Sequence, residues 1–323
     1  MKSTHHLLLT AALAGALAGP AQAQDVFPSK PVKIIVPSTP GAQLDFTARI
    51  VSNSLARRLG QPVIVDNKPG AAGALGTSLM IKSAPDGYTL GTMSTAHTSM
   101  HLFVKNLAFD VLKDMAPVSE VMRGALVLLG SPKAAARTLP ELMAYGKANQ
   151  GKLNYATTGT ADPLLGFLLL SQITGVKMAH FPYPGGAQVI QAVVAGDVDM
   201  GFTNTLSGAE FVKGNRAIGL AVTGTERYDQ LPAVPTLEEL GYKGFTDMPS
   251  FGGIAAPAGT PRDIIERLSR EIAAVVKEPE VVSAIHKLGQ VPVGSTPEQY
   301  RAVLATSIEK WTRLAREVDL RPQ

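Results

Sequence analysis

The chain has 323 residues, a formal net charge of +4 and no cysteine, so it carries no disulfide, no thiolate metal ligand and no cysteine nucleophile. Its basic residues are scattered rather than gathered among aromatics, which argues against nucleic acid as a partner and leaves a mild attraction for anionic solutes. With 45% hydrophobic residues there is material for one large or two moderate cores.

Residues 1–23 read as an export leader. Lys2 opens a short basic region, Leu7 to Ala18 is apolar but too short to span a bilayer, and Ala21-Gln22-Ala23 is a small-x-small cleavage signal. Cleavage before Gln24 leaves 300 residues (323 − 23) and, with Lys2 gone, a charge of +3. The chain is therefore expected to be secreted. An exported chain without disulfides must be held by packing, which suits a sizeable α/β domain.

Val32 to Gln61 is the stretch around which the rest is organised. Val32, Ile34, Ile35 and Val36 form a short apolar run ending at Pro37, as a buried strand does. Ser38 to Gln43 is a turn, and from Asp45 the residues Phe46, Ile50, Val51, Leu55 and Leu59 recur at helical spacing until Gly60. Such a unit aims the N–H groups of a helix start beyond the carboxyl end of a strand, a place suited to an anionic group. Pro62 to Val65 predicts a second strand and Asn67 to Gly70 a turn. Gly70, Gly73 and Gly76 lead into a helix through Ile81; their three-residue spacing suits close helix packing better than phosphate binding. Tyr88 to Met93 predicts a third strand, so β-α-β-α-β runs through this region, the pattern of a parallel sheet covered by helices.

Apolar stretches at Val118 to Val121 and Ala125 to Leu129 come next, then an amphipathic helix from Leu139 to Ala148 behind the cap Thr138. A strand at Leu153 to Ala156 ends in Thr157 to Pro163, followed by a helix from Leu164 to Ile173. Strands at Val176 to Phe181, Val198 to Phe202 and Ala217 to Val222, with a helix at Val189 to Val194, restart the α/β alternation and predict a second domain of similar build. Phe251 to Ala255 is apolar. Three helices, Pro261 to Val276, Pro279 to Leu288 and Pro297 to Arg316, close the chain and are expected to pack on the first domain. The expected limits are 1–23 for the leader, 24–123 plus 248–323 for one lobe and 124–247 for the other. Pro40-Gly41-Ala42-Gln43 and Pro184-Gly185-Gly186-Ala187-Gln188 form a weak internal echo.

Signatures of catalysis are missing. There is no G-x-S-x-G and no H-E-x-x-H, and the S-x-x-K at Ser307 and Lys310 falls inside the last helix, where it reads as a solvated face. After the leader four histidines remain, His97, His101, His180 and His286, too few and too scattered for a metal site; no cofactor is expected. His97 follows a strand and reads as a cleft-lining hydrogen-bond donor or a surface residue. Asp45 and Arg49 read as a helix-start acid with its i,i+4 partner. Asp162-Pro163 is a strong helix start, with Asp162 as the cap, yet the same carboxylate would occupy donors that a bound anion could use. Tyr183 and Asn204 sit just beyond strand ends, where an aromatic and an amide could orient a ligand.

Taken together, PVKIIVPSTPGAQLDFTAR, LGQPVIVDNKPGAAGALG, APDGYTLGT, KDMAPVSEV, GKLNYATTGT, HFPYPGGAQ, GDVDMGF, AIGLAVTGTERYDQLPAVPTLEELGY, FGGIAAPAGTP and the terminal Trp-containing helix resemble the periplasmic solute receptors of tripartite tricarboxylate transporters, also called Bug receptors. The resemblance implies a two-lobed α/β periplasmic-binding-protein fold (type II, Venus-flytrap) with a ligand cleft between the lobes. It implies capture of a small organic acid for membrane permease subunits, by a monomer, without catalysis. Its two opposed ligand loops correspond to Ser38, Thr39, Gly41, Ala42 and Gln43 on one side and to Thr157, Thr158, Gly159, Thr160, Ala161 and Asp162 on the other; His97, Tyr183 and Asn204 join them as candidates on their places after strands alone. Three departures stand out. Ala42 replaces a second glycine, Ser38 stands where an aromatic is common, and Ala161, Asp162, Pro163 and Leu165 replace a Gly-Ser-Pro and a following His. Fewer donors are then left for a second ligand carboxylate. A ligand-sensing receptor for a signalling partner and an exported α/β hydrolase are the alternative functions.

Overall fold

The computed structural model describes residues 27–157, 161–183, 185–246, 248 and 250–320, with 161 and 162 described in backbone alone. The leader at 1–23 lies outside the described residues.

Strand β1 (Val32–Val36) is buried at every position but Lys33. Helix α1 (Gln43–Leu59) ends on Gly60, whose φ of 69° gives a left-handed cap with its N–H on the Ala56 carbonyl. Strand β2 (Val63–Asn67), helix α2 (Ala74–Ile81), strand β3 (Thr89–Ser94) and the short helices α3 (Thr95–Ser99) and α4 (Val111–Asp114) complete the first run. Strand β4 (Met115–Gly124) leads directly into β5 (Leu126–Gly130). Helix α5 (Leu139–Ala148), opened by a Thr138–Glu141 capping box, precedes β6 (Asn154–Thr157), α6 (Ala161–Thr174), β7 (Ala179–Pro182) and α7 (Gly186–Ala195). Then come β8 (Met200–Asn204), α8 (Thr205–Lys213), β9 (Ile218–Val222), β10 (Ser250–Pro257), α9 (Arg262–Val275), α10 (Pro279–His286), β11 (Gln290–Pro292) and α11 (Pro297–Glu317).

The strands form two sheets. One has six strands in the order β11-β4-β10-β3-β1-β2, the other five in the order β7-β6-β8-β5-β9. Strands β1, β2 and β3 are mutually parallel, as are β6, β7 and β8, so each sheet gathers its carboxyl ends at one edge of the layer. Strand β10 runs antiparallel to β3 and β4, pairing Gly252 with Ser94 and Ser250 with Gly124. Strand β5 runs antiparallel to β8, pairing Leu126 with Asn204. One residue, Ala125, separates β4 from β5. The carboxyl ends of the parallel strands in both sheets therefore meet at the crossing and face each other across a cleft. The return from β9 to β10 passes the same point, where the Leu126 N–H donates to the Thr223 hydroxyl and the Thr223 N–H to the Leu126 carbonyl, both at 2.9 Å.

Helices α9 and α10 pack on the first sheet, through Ile265, Leu268, Ile272, Val281 and Ile285. Helix α11 does not belong to that sheet alone. Tyr300 and Leu304 fill the first sheet's core beside Met93 and Phe251, whereas Trp311, Leu314 and Ala315 enter the second core with Leu165, Phe167 and Phe202. The expectation that all three terminal helices join one domain fails here, because a 21-residue helix is long enough to reach both. Ser307, read from sequence as part of a solvated face, is buried, and the Lys310 ammonium lies 4.5 Å from the Trp311 ring centre. The bridging position of α11 is what buries this face.

Candidate functional site

On the first sheet, the loop between β1 and α1 is built by three side chains. The Asp45 carboxylate is 2% exposed and accepts from the Gly41 N–H and Arg49 Nε through one oxygen and from Asn67 Nδ2 through the other, each at 2.9 Å. Asn67, the last residue of β2, also donates to the Ser38 carbonyl at 3.1 Å and accepts from Arg49 Nη2 at 3.3 Å. Burial raises the Asp45 pKa, but the hydrogen bonds from Arg49, Gly41 and Asn67 outweigh it and hold the carboxyl below its ordinary value. Asp45 thus fixes the turn from inside. Gly41, at φ 84°, supplies the left-handed residue that the turn requires. Ala42, the N-cap, is extended at φ −80° and ψ 164°, so a side chain fits there without strain. Having only a methyl group, it caps none of the N–H groups of the first turn.

The Gln43 side chain reaches Ser250 Oγ, with Nε2 donating at 2.7 Å, and so ties the start of α1 to the first residue of the returning strand. One turn later Thr47 lies directly on Gly252, where a Cβ would collide with its hydroxyl. Thr39 and Gly41 are exposed, and Ser38, Ala42 and Gln43 are half-buried.

The neighbouring loops are locked to this one. Gly76 packs so closely that a Cβ would lie 2.5 Å from the Lys68 carbonyl and 2.8 Å from Pro37 Cα, the close packing its spacing suggested. His97 is not cleft-lining: it is 2% exposed. Its Nδ1 accepts from the Ser94 N–H at 3.2 Å, so the ring proton is on Nε2, which donates to Thr77 Oγ1 at 3.1 Å. The Thr77 hydroxyl in turn donates to the Gly73 carbonyl at 2.9 Å. Burial pulls the His97 pKa down to about 4, so the ring is neutral across the neutral range. The reading of His97 as a ligand donor fails because both ring nitrogens serve the fold. His101 turns the other way, donating through Nε2 to Thr312 of α11 at 2.8 Å, since the Thr312 hydroxyl is itself spent on the Ile308 carbonyl.

On the second sheet, Thr157 ends β6 fully buried, its hydroxyl 2.8 Å from His180 Nε2. The His180 ring stacks on Tyr155, which stacks on Phe167. Burial lowers the His180 pKa and raises that of Tyr155 to about 12. Tyr183 is half-buried and bonded through its N–H to the Thr157 carbonyl at 2.8 Å. Asn204 is exposed and caps α8, accepting from the Ser207 N–H at 2.8 Å. Its side chain thus has a structural task that its position after a strand did not reveal. Thr158, Gly159 and Thr160 lie outside the described residues, as do the side chains of Ala161 and Asp162. Helix α6 already includes Ala161, which puts Asp162 inside the first turn rather than at the cap. The internal echo holds in its context, since one segment leads from β1 into α1 and the other from β7 into α7, but not in its local backbone: Gly41 is left-handed, whereas Gly185 is extended at φ −166°.

Larger recesses lie elsewhere. One of about 390 Å³ separates α6 from α11, and one of about 480 Å³ lies at the crossing itself, lined by Arg123 to Ala125, by the loop after β9 from Thr223 to Gln230, and by His286. Neither is lined by the loop after β1 or by the described part of the loop after β6. Among the described residues no group of three or more His, Asp or Glu side chains is placed to hold a metal ion. No described helix is long and apolar enough to cross a membrane.

Comparison with known proteins gives the same picture. The model of the tripartite tricarboxylate transporter family receptor matches residues 47–320. Protein BugT of Bordetella pertussis is 36% identical over 304 residues, covering 93% of each chain. Among solved structures, Rpa4515 of R. palustris with adipate superposes with a TM-score of 0.78 at 25% identity, covering 92% of this chain and 100% of that one. MatC (Rpa3494) from Rhodopseudomonas palustris with bound malate does so with a TM-score of 0.74 at 27% identity, covering 89% and 99%. The family of solute receptors that the sequence resembled is the family to which it is matched along nearly its whole length. The chain belongs to the tripartite tricarboxylate transporter family receptors.

Proposed function

We propose that this receptor captures a small organic acid in the cleft between its two lobes and presents it, outside the cytoplasm and as a monomer, to membrane permease subunits without transforming it. The observation that carries this reading is the convergence at the crossing: the start of α1, uncapped by any side chain of Ala42, and the carboxyl ends of β6 and β8 face one space. Backbone N–H groups of a helix start are suited to a carboxylate. Adipate and malate in the relatives' structures support the same class. The residues assigned to the ligand are Ser38, Thr39, Gly41, Ala42 and Gln43 on one side and Thr157 to Asp162 on the other, with Tyr183 at the edge. The Gly41 N–H is already engaged by Asp45, so the amides of Gln43 and Leu44 carry more of the grip on this side. The lobes are taken as 24–123 with 248–323 and 124–247; the crossing at Ala125 and the return before Ser250 support these limits. Export rests on the leader, with cleavage before Gln24.

Asp162 narrows the ligand. A carboxylate in the first turn of α6 competes with a second ligand carboxylate for the donors of that helix start. A monocarboxylate, an amide or an amino-bearing acid is then favoured over a dianion. Thermal-shift screening of the mature protein against mono- and dicarboxylates, amides and amino acids tests both statements. The expected result is stabilisation by members of the first group, and a spectrum widened to dianions in Asp162→Ser. Silence across the whole panel would sink the receptor reading, and an unchanged spectrum in Asp162→Ser would reduce Asp162 to a helix-start residue.

A further inference from the structure

We propose that Asn67, read from sequence only as the start of a turn, is the positioning residue of the first ligand loop. The inference rests on the function proposed above. Asn67 ends β2, one strand away from the loop that it holds. Its carboxamide is used completely within that loop's scaffold. Nδ2 donates to the Ser38 carbonyl at 3.1 Å and to Asp45 Oδ1 at 2.9 Å, and Oδ1 accepts from Arg49 Nη2 at 3.3 Å. Asp45 then holds the Gly41 N–H at 2.9 Å. One side chain therefore fixes the carbonyl at which the loop leaves β1 and the acid that fixes the glycine three residues later. The next residue continues the clamp through its backbone, since the Lys68 N–H donates to the Val36 carbonyl at 2.8 Å.

This arrangement needs a side chain that donates twice and accepts once with no net charge. The surrounding charges show why. Asp45 and Arg49 face Asn67 from α1, and the Asp66–Lys68 and Asp66–Lys33 pairs flank it along the sheet. A carboxylate at this position would face Asp45 and lose both donations; a methyl group would lose all three bonds. The loop's backbone is what the proposed ligand meets, so a loop left to search conformations binds more weakly although no ligand contact is removed.

The test uses the mature protein, with Asn67→Ala and Asn67→Asp. Hydrogen exchange without ligand reads the loop directly. Segment 38–44 is expected to exchange about tenfold faster in Asn67→Ala, as befits the loss of a hydrogen bond or two, while β6 and α11 keep their protection. Calorimetry with butyrate, adipate and malate reads the consequence: affinity falls about tenfold for whichever of these the wild type binds. Asn67→Asp supplies a signature that general loss of stability would not. At pH 8 it resembles Asn67→Ala; at pH 5 protonation of one carboxyl of the facing pair restores a donor and recovers affinity, which Asn67→Ala does not. Unchanged exchange in segment 38–44, or affinity in Asn67→Asp that stays low on acidification, overturns the proposal. If the wild type binds none of the three acids, the reading of the ligand as a simple mono- or dicarboxylate is the one overturned, and the exchange arm still decides the role of Asn67.

Discussion

A single histidine shows how one residue's surroundings set a property of the whole protein. His97 is buried and neutral because its Nδ1 accepts from the Ser94 backbone and its Nε2 proton goes to Thr77. Its pKa falls from about 6.5 in the unfolded chain to about 4 in the fold. The sign follows from the depressed value: the unfolded state binds the proton first, so stability is full above pH 6.5 and declines as the pH falls towards 4. The loss approaches about 1.4 kcal/mol per pH unit in the middle of that window. Asp45 adds to the decline only lower, where its own depressed carboxyl protonates. Urea titrations at pH 7, 6, 5 and 4.5 are expected to show this slope in the wild type and a flatter one in His97→Gln. Equal slopes would mean that His97 does not govern the acid limb. The sequence placed His97 after a strand but could not orient it. Its partners lie 20 residues back at Thr77 and in its own cap, and only the packed fold brings the first of them near.

At the scale of elements, those that sequence reading found are the ones with a local cause. β1 is an apolar run, α1 has period and a glycine stop, and α5 opens on a capping box. Those it passed over depend on a distant partner or on a cap whose role the pattern does not announce. β11 is three residues long and exists because β4 offers an edge. α8 begins on Asn204, which had been assigned to the ligand rather than to a cap. The loop after β1 was legible as a helix start, but its internal bonds were not, since the clamp on it comes from the far end of another strand. α11 carries the same lesson furthest. Its amphipathic pattern announced a helix but not which body it would cover, and it covers both. Leu304→Ala and Leu314→Ala are each expected to cost about 2–5 kcal/mol, the usual range for emptying a buried leucine site. Because α11 joins the two cores, each variant is expected to unfold in one transition, coincident by circular dichroism and by Trp311 fluorescence. Two separated transitions would show that the helix does not couple the cores.

For the molecule as a whole, the question is where movement is possible. Among the described residues the two bodies are joined at the single residue Ala125, at the return into Ser250 and by α11, and they also touch where Leu102 enters the second core and where the Thr205 hydroxyl donates to the Gly289 carbonyl. The first two connections lie together at the crossing, where Leu126 and Thr223 are mutually hydrogen-bonded, and form a compact hinge. The third is rigid at both ends. Closing of the cleft on an acid is expected to be felt along α11 between Leu304, held by the first core, and Trp311, held by the second. Trp311 is the chain's sole tryptophan, so its emission reports on that place and on no other. Titration with an acid that binds is expected to change Trp311 emission and to lower the radius of gyration in solution scattering, with one midpoint for both. Gln43 connects the cleft to this movement, since its amide rests on Ser250 at the hinge. Gln43→Ala is accordingly expected to separate the two effects of the ligand: binding weakened severalfold, by the loss of about one hydrogen bond's worth of free energy, but the same compact end state at saturation. A radius of gyration that stays constant at saturation would show that the ligand enters a cleft already closed and that α11 holds the two bodies as one.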